Sequence, residues 1–116
     1  MLATERLLEI EEKWAEKVHR IVVLEIDGET LQFIIYLKDG TNLRVTEEWA
    51  GAEIASYSYY WLNPANDLKV GWDNAPHYTR LENFPHHKHV GKRKNIQVSF
   101  ETTLEEVMKV IFSVGY

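Results

Sequence analysis

The sequence predicts an α+β domain: an N-terminal helix, an antiparallel meander of about five strands, a long histidine-rich loop and a C-terminal helix. Three observations predict it. Near both ends of the chain, apolar residues recur every three or four positions, the helical period. Between these segments the apolar period drops to two, as in half-buried strands. The strand-like runs are joined by turns so short that successive strands must be antiparallel neighbours.

The first helix is expected from about residue 5 to about residue 18, with Thr4 as its cap. Leu7, Ile10, Trp14 and Val18 line one face, and Glu11, Glu12, Lys13 and Lys17 the other. His19 then serves as a C-terminal capping residue. Arg20–Ile26 reads as a strand ending at Asp27-Gly28, a two-residue hairpin signal. Leu31, Phe33, Ile35 and Leu37 alternate along the second strand, which ends at Asp39-Gly40. Leu43 and Val45 belong to a third. In the fourth, Glu53–Asn63, Ala55, Tyr57, Tyr59 and Trp61 share one face, while Ser56, Ser58 and Tyr60 share the other. After the Asn63–Asp67 turn, Leu68–Trp72 returns as the fifth strand. Residues 73–96 read as irregular, with Pro76 and Pro85 as breakers. Thr103 and Glu106 make a capping box for a last helix. Leu104, Val107, Met108 and Ile111 form its apolar face, and Gly115 closes it.

One domain spanning residues 1–116 is the simplest organisation, since no linker, repeat or low-complexity tract interrupts the chain. Cysteine is absent, which excludes disulfides, zinc-thiolate sites and a cysteine nucleophile. No apolar run approaches the roughly 20 residues needed to span a bilayer. The N-terminus carries acids where a signal peptide carries bases, so a cytoplasmic location is expected. The net charge of −5 is uneven: residues 77–94 hold five bases and one acid, a net +4, leaving −9 elsewhere. A chain of that kind is a poor general binder of nucleic acid, but its basic segment suits one phosphate or one RNA site. The P-loop, GxGxxG, GxSxG and HExxH patterns are all missing, which removes support for kinase, dinucleotide, α/β-hydrolase and zincin chemistry.

Four of the five histidines, His77, His86, His87 and His89, fall within thirteen residues of that basic segment. Three readings compete. In the first, two imidazoles act as base and acid in phosphodiester transfer, a nearby lysine or arginine stabilises the charged transition state, and Asp73 orients one ring. If His86–His89 is extended, His87 and His89 point the same way, about 7 Å apart. In the second, His87 and His89 present their rings to one divalent cation, with His77 or Asp73 completing the set. In the third, the imidazoles and the Asp73 and Asn74 side chains satisfy loop backbone that would otherwise lie buried unpaired. The tyrosines of the fourth strand read as core packing rather than base-stacking platforms.

Trp72-Asp73-Asn74-Ala75-Pro76-His77, followed by Phe84-Pro85-His86-His87-Lys88-His89, resembles the TumE-like family of small prokaryotic toxins. The resemblance extends over roughly residues 20–112, including the Asn63–Asp67 turn and the Thr103–Glu106 helix start. Two positions depart from the family pattern: Tyr78 replaces a second histidine, and Gly71 replaces a basic residue. The resemblance implies the toxin half of a toxin–antitoxin pair, with a helix-turn-helix antitoxin as partner. It also implies that Asp73, Asn74, His77, His86, His87, Lys88 and His89 matter. Together with the histidine cluster, it gives an expected metal-independent ribonuclease. His77 and one of His87 or His89 are the acid and base, Lys88 stabilises the phosphorane, and Asp73 orients a ring. Asn74, Arg80, His86, Lys92 and Arg93 are assigned to substrate binding. No cofactor is expected in this scheme, a divalent cation at His87 and His89 being the alternative. A noncatalytic module, whose loop binds a partner protein, an anion or a metal ion, is the other reading.

Overall fold

Turn chemistry sets the topology. In the computed structural model, which describes residues 1–113, Gly28 and Gly40 take the positive φ values of 57° and 92° that tight hairpins require. The chain runs α1 (Ala3–Lys13), β1 (Val18–Asp27), β2 (Thr30–Leu37), β3 (Asn42–Ala50), β4 (Glu53–Leu62), β5 (Leu68–Asp73), β6 (His87–Val90), β7 (Ile96–Val98) and α2 (Leu104–Ser113). The seven strands form one sheet in sequence order, and every neighbouring pair is antiparallel. The α+β meander is therefore as predicted, with two more strands than expected.

Register gives the sheet two unlike faces. Phe33, Val45, Tyr59 and Trp72 pair in a row across β2–β5, and each is almost fully buried. Leu43, Trp61 and Val70 form a second such row. Ile10 of α1 and Leu104, Val107 and Met108 of α2 pack into the same core, so both helices cover this face. Burial of each large apolar side chain contributes about 1.5–3 kcal/mol. The Tyr57, Tyr59 and Trp61 rings are core, as their alternation predicts.

A buried ion cluster ties the layers together. Arg6 of α1 donates two hydrogen bonds to Glu47 of β3, at 2.9 and 3.0 Å, and two to Glu105 of α2, at 2.8 and 3.0 Å. Glu47 also accepts from the Tyr59 hydroxyl and the Trp49 indole. Burial works to push the Glu105 carboxyl up, but the bonds and charge of Arg6 outweigh it and hold the group below its usual range.

The edges of several elements differ from expectation. Helix α1 stops at Lys13, not near residue 18, because Val18 is drawn into β1 opposite Leu37. His19 thus lies in a strand and caps nothing. Leu2, without a side-chain bond, holds the N-cap position, and Thr4 lies inside the first turn. Thr103 and Glu106 do cap α2: the Glu106 N–H donates to Thr103 Oγ1 at 3.2 Å, while Glu106 Oε1 accepts from the Thr103 hydroxyl and from the backbone N–H of Thr102, one residue before the N-cap. Gly115 falls outside the described residues. The stretch 73–96 is not irregular throughout, since His87–Val90 pairs with β5 and Ile96–Val98 pairs with β6.

Candidate functional site

The site lies on the sheet face away from the helices. Ser58, Asp73 and His87 are cross-strand partners on β4, β5 and β6, and so are Tyr60, Gly71 and His89. Partners directly opposite share a face. Strand alternation therefore brings His87 and His89 to the same side as Asp73, and their ring centroids are 5.0 Å apart.

Each oxygen of the Asp73 carboxylate meets one imidazole. Oδ1 lies 2.9 Å from His87 Nε2, and Oδ2 lies 3.3 Å from His89 Nε2. The far ring nitrogens are also engaged: His87 Nδ1 with the Pro85 carbonyl at 3.1 Å, and His89 Nδ1 with the Arg93 carbonyl at 2.7 Å. A carbonyl oxygen only accepts, so each Nδ1 carries the hydrogen. The Tyr60 hydroxyl donates to Asp73 Oδ2 at 3.2 Å, and the Ala75 N–H donates to Oδ1 at 3.0 Å. Burial and the Asp73 charge push the Tyr60 phenol up to about 12, so it remains a donor at neutral pH. Gly71 makes this possible: a Cβ there would sit 3.1 Å from the Tyr60 ring.

The trio forms one wall of an open cleft of about 810 Å³, to which Tyr60, His77, Tyr78 and Arg93 also contribute. The Arg93 guanidinium lies 5.2 Å over the Tyr60 ring and brings positive charge to the rim. Tyr78 sets its ring edge-on to His87, with centroids 4.7 Å apart.

The other predicted residues scatter. His77 is exposed on the loop at the cleft's edge, its ring 6.2 Å from that of Tyr78, which stands between it and His87. Lys88 alternates to the helix-covered face, where it pairs with Glu101 at 3.3 Å. It is thus turned away from any phosphate bound at His87 and His89. His86 also points to that side, sharing a 2.8 Å hydrogen bond with the Tyr57 hydroxyl, and burial lowers its pKa despite the nearby Glu106. Asn74 accepts from the Tyr57 N–H and donates to the Ala55 carbonyl, continuing the ladder of β4 where β5 ends. Arg80 lines a separate hollow with Thr79 and Leu81, and Lys92 lies exposed in the β6–β7 turn.

Among known families, toxin TumE matches residues 4–114, nearly the whole chain. The chain belongs to this toxin family. No curated protein and no solved structure matches it. Membership in the TumE family implies the toxin component of a toxin–antitoxin module and a cognate antitoxin as partner. Among the described residues, no helix is long and apolar enough to cross a membrane. Positions 71 and 78 both concern tyrosine rings at the site. Tyr78 packs on His87, and the bare Gly71 backbone admits Tyr60.

Tyr60 is the site residue that sequence reasoning missed. The signal was present: the Asn63–Asp67 turn folds β5 back on β4 and places Tyr60 beside Gly71, two residues from Asp73.

Proposed function

We propose that this TumE toxin cleaves RNA, and that the phosphodiester is attacked in the cleft at Asp73, His87 and His89. The convergence of two imidazoles on one carboxylate, beside the Arg93 cation, is the observation that carries this reading. Phosphodiester transfer needs a group to take the proton of the attacking hydroxyl and one to return a proton to the leaving oxygen. It also needs positive charge at the phosphorus oxygens. The site supplies two imidazoles and a carboxylate as the polar centre of that chemistry, and Arg93 replaces Lys88 as the residue suited to the phosphate. Exposed His77 at the rim suits a contact with substrate. The half-buried Tyr78 ring, which lines the cleft, is the aromatic surface suited to an unstacked base.

Purified protein should cut single-stranded RNA, and His87→Ala and His89→Ala should each lower the rate by about 100-fold or more, the scale of one lost acid or base. Equal rates in all three proteins overturn the assignment of the site. If folded wild-type protein forms a tight antitoxin complex but does not cut RNA, the noncatalytic binding reading replaces this one.

A further inference from the structure

The simplest form of such a reaction, with the imidazoles themselves moving protons, asks for a ring nitrogen turned toward substrate. Neither histidine offers one. Each Nδ1 is spent on a backbone carbonyl, and each Nε2 is aimed at Asp73. A neutral imidazole whose Nδ1 carries the hydrogen has a bare lone pair at Nε2. With each Nδ1 on a carbonyl, Nε2 is the ring atom left to serve a cation held beside the Asp73 carboxylate.

We infer that Asp73, His87 and His89 hold one first-row divalent transition-metal ion, which serves as the toxin's cofactor. The ligand set is two imidazoles and one carboxylate, a combination suited to zinc, iron, nickel and related ions and one that leaves coordination positions open. One donor atom from each residue lies within 4.8 Å of the others. An ion bound at about 2.0–2.2 Å from each donor holds neighbouring donors roughly 3–3.5 Å apart. Each Nε2 lies 2.9 or 3.3 Å from its own Asp73 oxygen, so bringing all three donors onto one ion asks for a small inward shift of the side chains. The outer contacts fit as well. A metal-bound histidine commonly donates its other N–H to a carbonyl, which fixes the tautomer, and both rings do so here. Tyr60 and the Ala75 N–H hold the carboxylate in place. All three residues line the cleft of about 810 Å³, which has room for water or a phosphate oxygen beside an ion they would hold. This revises the metal-free scheme expected from the sequence. It rests on the ribonuclease reading only for the reaction that the ion serves.

The test uses the full chain purified without a histidine tag, titrated with Mn²⁺, Co²⁺ and Zn²⁺ separately, with binding followed by calorimetry and metal analysis. At least one ion should bind with a stoichiometry of about one per chain. Asp73→Asn, His87→Gln and His89→Gln should each abolish tight binding, and Tyr60→Phe should weaken it by about 10- to 100-fold. Pulsed electron paramagnetic resonance of Mn²⁺ on the wild type needs no variant and should show couplings to two imidazole nitrogens. Failure of all three ions to bind overturns the inference, as does binding that persists in Asp73→Asn or lacks imidazole coupling. RNA cleavage at full rate by metal-free protein in EDTA overturns the cofactor role and leaves the ribonuclease standing. A bound ion with no RNA cleavage does the reverse.

Discussion

Lys88 stands between His87 and His89 in the chain, yet it faces the other side of the sheet. A period of two separates them: the histidines meet Asp73, while the lysine meets Glu101 beside the Trp72 indole. Replacing Lys88 with Met should therefore leave RNA cleavage within about twofold of wild type. It should cost at most about 1 kcal/mol of stability, as for a partly exposed ion pair, which thermal unfolding can measure. A fall in cleavage comparable to that of His89→Ala would return Lys88 to the site. At this scale, what could be read in advance was whatever depended on local alternation. His-x-His in an extended segment had to point one way, and it does. His77 sits on a loop whose path is set by contacts far away in sequence, such as the Asn83 bond to the Ser99 carbonyl, and no local pattern encodes that.

At the scale of elements, the hairpins and the second helix were legible because their signals are short-range. Asp-Gly turns and a Thr-Glu capping box act within a few residues. Helix α1 was read five residues too long because Trp14 and Val18 continue its apolar period, while the pairing of Val18 with Leu37 competes from outside the segment. Strands β6 and β7 were missed because HKHV is mostly polar and IQV is only three residues long, and pairing with β5 and then β6 supplies their order. Arg6 was equally hidden, since its partners Glu47 and Glu105 lie 41 and 99 residues away. Arg6→Met leaves the Glu47 carboxylate buried and short of its guanidinium. Urea unfolding should then show a loss of about 3–5 kcal/mol, the usual cost of breaking a buried pair from one side. A loss below about 1 kcal/mol would mean that Tyr59 and Trp49 hold Glu47 unaided.

On the scale of the whole molecule, the meander divides labour between two faces. The helices and the aromatic rows of β2–β5 make one face a core, which fixes the register of every strand. The other face, freed from packing, carries the polar partners that this register brings together. The sheet acts as a ruler: a slip of one residue between β5 and β6 would send His87 and His89 to the core side and Lys88 to the cleft. The most direct test of this account is the RNA-cleavage rate of Asp73→Asn, a swap that keeps shape and removes the charge on which both imidazoles converge. We expect correctly folded Asp73→Asn to cleave at least about 100-fold more slowly than wild type. A rate within about threefold of wild type would contradict the claim that these three residues are the toxin's chemical centre.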